Sequence, residues 1–258
     1  MNMNSLEEDT KILQQLIDDS KNIVFFGGAG VSTESGIPDF RSVDGLYRQK
    51  YKYDPEVIIS HDFFEIKTKE FYEFYRDKML LIDKKPNAAH LYLTELEKCG
   101  KCKAIITQNI DGLHQMAGSK NVLELHGTIH RNFCQDCGRM YDAKYMKEYK
   151  EDIIPRCEKC GGIIKPDVVL YGEGLDDLTV TKAIVSISQA DLLIVAGTSL
   201  VVYPAASFID YFRGKHLVLI NKDEKANDTR ADVVIHQKVG ELFKGLHIWR
   251  IKKKLYLD

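Results

Sequence analysis

Ile23-Val24-Phe25-Phe26-Gly27-Gly28-Ala29-Gly30-Val31-Ser32-Thr33-Glu34-Ser35-Gly36 is the stretch that decides the fold. It opens as a continuous apolar run, the pattern of a strand buried on both faces of a parallel sheet. It then passes straight into Gly-x-Gly and a helix start, where backbone N–H groups can cradle a pyrophosphate. As a generic dinucleotide fingerprint it is imperfect. The third Gly of GxGxxG falls at Thr33, and no acid closes a second strand about twenty residues on. By itself the turn leaves open both a bound dinucleotide and a tight structural turn.

Outward from this run, Val/Ile/Leu-rich segments recur at 103–107, 122–125, 192–196, 216–221 and 232–236. Helical patterns cover 6–19, 62–81, 87–98, 178–188, 204–212 and 239–246. Strand and helix in alternation imply right-handed βαβ units and a doubly wound α/β sheet. Two insertions break the rhythm. Residues 40–85 are rich in Tyr, Phe and Lys without a strand signal and read as helical. Residues 128–166 carry four cysteines, many charges and little apolar content, so a metal is expected to hold them together. With no repeat and no Pro- or Ser-rich linker, both insertions are expected to stay packed on the sheet.

The 258 residues are 44% hydrophobic and 29% charged, enough for a real core. Lys plus Arg total 36 against 38 Asp plus Glu, a net charge of −2, which gives no support to a polybasic nucleic-acid binder. Residues 1–19 are polar and acidic and resemble no secretory leader. The longest uncharged apolar run, 192–208, holds Thr198, Ser199 and Pro204 and falls short of a membrane span. The expectation is a cytoplasmic chain with no membrane partner.

Six cysteines in a reducing compartment point away from disulfides. Cys134-Gln-Asp-Cys137-Gly138 and Cys157-Glu-Lys-Cys160-Gly161 are two knuckles whose paired sulfurs can meet one ion, the following Gly allowing a tight turn. Together they offer four soft ligands, the pattern of structural Zn²⁺ with no open position for catalysis. Cys99 and Cys102 lack the following Gly and read as packing or helix-end thiols.

Three polar groupings carry chemistry. Gly36-Ile37-Pro38-Asp39-Phe40-Arg41 sets an aromatic, a cation and a carboxylate just past the glycine turn. The run 105–114 ends a buried strand in Gln108, Asn109 and Asp111, and open α/β sheets bind ligands at such strand ends. Leu123-Glu124-Leu125-His126-Gly127 closes another strand in a histidine, a plausible general base in that crevice. His114 and His130 compete locally, but neither ends an expected strand.

In this order the motifs resemble the sirtuins, NAD-dependent protein deacylases, in a bacterial-type pattern closest to the undifferentiated class. The glycine turn with 36–41 resembles the NAD loop, Thr107-Gln108-Asn109-Ile110-Asp111 the ribose and nicotinamide motif, and His126-Gly127 the catalytic histidine. Gly197-Thr198-Ser199 and Ile220-Asn221 resemble later NAD-contacting strand ends, so the similarity runs from about residue 20 to 245. It implies a Rossmann-like NAD-binding domain of 1–39, 86–127 and 167–258. A small domain would combine the helical insertion 40–85 with the zinc-ribbon module 128–166.

By similarity, NAD would be held by Ala29, Thr33, Phe40, Arg41, Gln108, Ile110, Asp111, Thr198, Ser199, Asn221, Lys222, Lys238 and Val239. His126 and Asn109 would be catalytic. The acetyl oxygen of an acetyl-lysine protein or peptide would attack C1′ of the ribose, His126 would remove a proton through the ribose hydroxyls, and O-acetyl-ADP-ribose would leave. Phe40 would shield the intermediate. The peptide would add as a strand beside residues 168–173, with Val168, Val169 and Tyr171 as walls of the acyl-lysine site. Succinyl-preferring members carry Tyr-x-x-Arg; here Phe71-Tyr72-Glu73-Phe74-Tyr75-Arg76 offers Tyr-x-x-Tyr with the Arg one position late, so acetyl should be preferred. The same scaffold could instead perform mono-ADP-ribosyl transfer or serve as a non-catalytic NAD-sensing module.

Overall fold

A computed structural model describes residues 3–40, 45, 51–222 and 229–248. The quoted stretch forms the centre of the molecule. Strand β1 (Ile23–Gly27) is buried at every position and lies in a six-stranded parallel sheet with β2 (Cys102–Thr107), β3 (Val122–Glu124), β7 (Leu192–Ala196), β8 (His216–Ile220) and β9 (Val233–Ile235). Their order is β3-β2-β1-β7-β8-β9. The chain moves outward from β1 through β2 to β3, then returns to place β7 on the other flank of β1. The Rossmann-like α/β expectation is met.

Side chains alternate along each strand, so one run serves two cores. Ile23, Phe25, Ile105 and Ile194 pack against α1 (Met3–Asp19), α5 (Ala88–Lys98) and α9 (Val239–Lys244) through Leu13, Leu93 and Phe243. Val24, Phe26, Ile106 and Val195 meet α8 (Asp177–Gln189) and the 3₁₀ segment Ala205–Tyr211 through Ile187 and Phe208. Each such buried Phe, Leu or Ile contributes about 1.5–3 kcal/mol.

The insertions differ from expectation in three ways. The pattern over 62–81 is not one helix. α3 (His61–Ile66) stops at Lys67, whose φ of −132° and ψ of 48° are not helical. α4 (Thr68–Phe74) then runs into a π-turn, Tyr75–Met79. The cysteine-rich segment contains strands the sequence pattern did not reveal: β4 (Gly127–Cys134), β5 (Met140–Asp142) and β6 (Ile164–Val168) form an antiparallel sheet ordered β5-β4-β6. Nor does this segment lack a core. Ile129, Tyr141, Met146 and Ile164 join Phe64, Phe71, Tyr72 and Tyr75 in one cluster, so the two insertions bury their apolar faces chiefly against each other. The Tyr72 hydroxyl seals the joint by donating to the Ile164 carbonyl.

Finally, the helical pattern at 204–212 is realised as the tighter 3₁₀ segment. No described helix is long and apolar enough to cross a membrane.

Candidate active site

Ligands of open α/β sheets sit where the strand order reverses, because the crossover helices diverge there and leave a crevice at the carboxyl ends. Here that place is the junction of β1 and β7, and it opens into a cavity of about 900 Å³. Ala29 and Thr33 reach it from the turn after β1, and Gln108, Asn109, Ile110 and Asp111 from the end of β2. Thr198 and Ser199 follow β7, Asn221 and Lys222 follow β8, and Lys238 and Val239 open α9. Phe40, Val168, Val169 and Tyr171 line the opposite wall, and His126 sits where β3 passes into β4. Arg41 lies outside the described residues.

The glycine turn does not start a long helix. It makes two 3₁₀ turns, Ala29–Val31 and Thr33–Ser35, and the Thr33 hydroxyl donates back to Gly30 O at 3.1 Å. The glycines serve close approach. Gly30 N–H donates to Gly197 O at 2.8 Å, and a Cβ on Gly30 would lie 2.6 Å from Gly197 Cα. Backbone therefore packs on backbone across the reversal point, leaving a floor free of side chains.

The polar strand end is a connected network. Asn109 Nδ2 donates to Gly28 O and to Ser32 Oγ, both at 3.1 Å, and Ser32 Oγ donates to Asp111 Oδ2 at 2.6 Å. Gln108 Nε2 donates to Thr198 Oγ1 at 3.1 Å, and Asn221 Nδ2 to Thr198 O at 3.0 Å. Asp111 Oδ1 accepts the Leu113 N–H at 2.9 Å. Burial pushes the Asp111 pKa up, opposed by the bonds from Ser32 and Leu113 and by His130 nearby.

His126 Nδ1 lies 2.9 Å from Gln108 O, so Nδ1–H donates to that carbonyl and Nε2 carries the lone pair. Burial holds the imidazole pKa below its usual value, with the Gln108 carbonyl partly offsetting this. The ring is thus neutral and basic at Nε2 near pH 7.

Around residues 168–173 the backbone is partly committed. Val169 N–H donates to His126 O, and Tyr171 exchanges bonds with the helical insertion, accepting from His61 N–H and donating to Ile59 O. Tyr72 and Tyr75 are buried in the second core, while Arg76 Nε and Nη1 donate to Ile153 O and Tyr149 O at 3.0 and 3.1 Å.

Sequence reasoning missed Ser32 as a linking group, and it missed Val202, Tyr203, Pro204, Ile59, Lys78 and Met79 as cavity walls. An apolar Val201-Val202-Tyr203 run in a loop was a usable signal, since Val201 and Tyr203 are exposed. For Lys78 and Met79 the π-turn was invisible in the pattern.

The four cysteines converge: Cys134, Cys137, Cys157 and Cys160 have their sulfurs within 4.8 Å of one another. Cys134 Sγ lies 3.4 Å from Cys160 Sγ and Cys137 Sγ 3.7 Å from Cys157 Sγ. Four thiolates at the Zn–S length of about 2.3 Å around a tetrahedron stand about 3.8 Å apart, so the set fits zinc. Gly138 and Gly161, at φ 69° and 80°, turn each knuckle. The cavity in turn fits a dinucleotide: its size is that of a cofactor site, its floor is bare glycine backbone, and hydrogen-bonding side chains end four adjacent strands around it.

The Sir2 family model matches residues 28–204. An NAD-dependent protein deacetylase of Clostridium acetobutylicum is 59% identical over 234 residues, 90% of this chain and 95% of that protein. One of Clostridium perfringens is 58% identical, covering 91% and 97%. A solved Sir2 structure with deacetylated p53 peptide and 3′-O-acetyl-ADP-ribose superposes with a TM-score of 0.84 at 38% identity, covering 92% of this chain and 96% of that one.

Proposed function

This chain belongs to the Sir2 family, and from that premise we propose how the residues around the cleft divide the work of its reaction. The protein is an NAD-dependent protein deacetylase that moves the acetyl group of acetyl-lysine to ADP-ribose, releasing nicotinamide, O-acetyl-ADP-ribose and free lysine. The site takes NAD as co-substrate, acetylated lysine peptides as partners, and one structural zinc.

Bound NAD supplies an electrophilic ribose carbon and a nicotinamide leaving group. The observation that carries the residue assignment is the chain Asn109–Ser32–Asp111 beside a neutral His126 with Nε2 unprotonated. His126 Nε2 takes a proton from a ribose hydroxyl, and the Gln108 carbonyl at Nδ1 keeps the ring in the tautomer this needs. Asp111 and Ile110 orient the nicotinamide carboxamide, with Ser32 fixing one Asp111 oxygen. Asn109 orders the ribose side of the site. Phe40 covers the reacting centre and excludes water. Ala29, Thr33 and Arg41 hold NAD on the turn side, and Gln108 joins Ile110 and Asp111 at the nicotinamide ribose; Thr198, Ser199, Asn221, Lys222, Lys238 and Val239 hold its phosphate and adenosine end.

Val168, Val169 and Tyr171 wall the acyl-lysine. Because Tyr171 has spent its backbone N–H and C=O on the helical insertion, Leu170 has spent both of its own on Glu173, and the Val169 N–H donates to His126 O, strand addition by the peptide is assigned to the Val169 carbonyl and the Gly172 backbone. Arg76, bound to two carbonyls of the zinc module, does not serve an acidic acyl group, so acetyl is preferred to succinyl. The domain division proposed is 1–39, 86–127 and 167–258 for the NAD-binding part, with 40–85 and 128–166 forming the small part.

The test is incubation with matched acetyl- and succinyl-lysine peptides, with and without NAD, followed by mass spectrometry. Loss of acetyl only with NAD, with nicotinamide and O-acetyl-ADP-ribose appearing together, is expected. NAD consumption with the peptide still acetylated would favour ADP-ribosyl transfer, and faster desuccinylation would overturn the acyl assignment.

A further inference from the structure

The loop that carries Gln108 to Asp111 is held from behind by three consecutive residues of β4. Thr128 Oγ1 donates to Ile110 O at 3.4 Å, Ile129 N–H to the same oxygen at 3.0 Å, and His130 Nε2–H to Asp111 O at 2.9 Å. The first two come from a side-chain hydroxyl and a backbone amide and both end on Ile110. The third is made by an imidazole, and its ring fills the space against Gly112: a Cβ there would lie 2.5 Å from His130 Cδ2. Gly112 has φ 69°, so the peptide between Asp111 and Gly112 is turned sharply just where the Asp111 side chain leaves for the cavity.

The Cδ2–Nε2 edge of one ring both bonds the Asp111 carbonyl and packs against Gly112, so this peptide plane cannot rotate freely. The Asp111 carboxyl, clasped by Ser32 and Leu113, inherits that fixity. Thr128 and Ile129 are buried, and Arg131 pairs with Glu124 and Asp167. His130 is therefore the β4 side chain that reaches Asp111 itself.

We infer that His130 is a positioning residue for the nicotinamide end of the cleft, acting through the Asp111–Gly112 peptide without touching NAD. This rests on the assignment of Asp111 to the nicotinamide carboxamide. It also makes the small antiparallel sheet, through β4, part of the machinery that sets nicotinamide affinity.

The experiment compares wild type, His130→Ala and His130→Gln, whose side-chain amide can offer a donor to the same carbonyl. With one neutral hydrogen bond removed, His130→Ala should raise the KM for NAD and the nicotinamide inhibition constant roughly three- to ten-fold. The acetyl-peptide KM and the Kd of ADP-ribose, which lacks nicotinamide, should move less than about two-fold, and His130→Gln should recover most of the loss. Unchanged NAD and nicotinamide constants would overturn the inference. So would equal weakening of ADP-ribose, peptide and NAD, or no recovery by Gln. If the alanine variant folds poorly, His130→Leu replaces it in the same comparison. A wild-type protein that releases no nicotinamide in the presence of acetyl-peptide would instead sink the assigned reaction; calorimetry with nicotinamide alone would then test the hydrogen bond separately.

Discussion

Acidification from pH 7 to pH 5 should destabilise the protein through two imidazoles that the reaction does not use. His90 on α5 and His114 on α6 (Leu113–Ala117) face each other with ring centroids 4.6 Å apart and exposures of 0% and 1%. His90 Nδ1 accepts the Asn87 N–H at 3.2 Å, whereas His90 Nε2 and both nitrogens of His114 have no hydrogen-bond partner. Burial lowers the His90 pKa from 6.5 to about 4, and it holds His114 well below 6.5, with His90 adding to the effect.

In the unfolded chain both rings take up protons near pH 6.5. Below that pH the unfolded state binds more protons than the folded one, so stability is complete above 6.5 and falls as the pH drops toward about 4. Each pH unit in that window costs about 1.4 kcal/mol for a ring that stays neutral, so His90 alone costs about 2 kcal/mol at pH 5, and His114 acts in the same direction. That is a large part of the ~5–15 kcal/mol that holds a typical domain together.

Urea unfolding at pH 7, 6 and 5 with zinc present, on wild type and on a His90→Gln/His114→Phe double variant, isolates the pair. His126 and the carboxylates titrate alike in both proteins and cancel. The wild type should lose at least about 2 kcal/mol more than the variant between pH 7 and 5. Parallel pH slopes would refute the reasoning, whatever the variant's absolute stability.

Three further outcomes are expected. His126→Ala should lower kcat by about 10²- to 10⁴-fold with the melting temperature unchanged, read by steady-state deacetylation and calorimetry. Gly30→Ala forces a methyl group to 2.6 Å from Gly197 Cα, so it should cost about 1–3 kcal/mol and raise the KM for NAD more than the KM for peptide. Chelating zinc should open the Cys134–Cys160 region to protease first and abolish turnover as the core shared with α4 loosens, whereas circular dichroism of the parallel-sheet half should change little.

Much of this protein was legible before any coordinates. The β1 run is apolar at each buried position because its strand is covered on both faces, and that is a statement sequence can make alone. The zinc knuckles are equally local: two residues between thiolates and a glycine at positive φ are short-range facts. Polar residues ending β2 announced a crevice, and every described residue expected to hold NAD, catalyse or meet the peptide lines one cavity.

What stayed hidden depends on partners distant in the chain. Ser32 meets Asp111 because β1 and β2 lie side by side, and Gln108 meets Thr198 only because the sheet reverses its order at β1. The strands of the small sheet carry charged residues, and β4 shifts register between Thr128 and Asn132, so they show no clean alternation and only their pairing defines them. The cysteine-rich insertion looked unable to fill a core of its own; the shared cluster exists because its apolar face meets that of the helical insertion. Sequence by itself determined the strands of the parallel sheet, the metal ligands and the polar strand ends, since those follow from composition within a few residues. Tertiary structure decided which of them touch, because contact across the reversal point is set by chain topology and not by spacing.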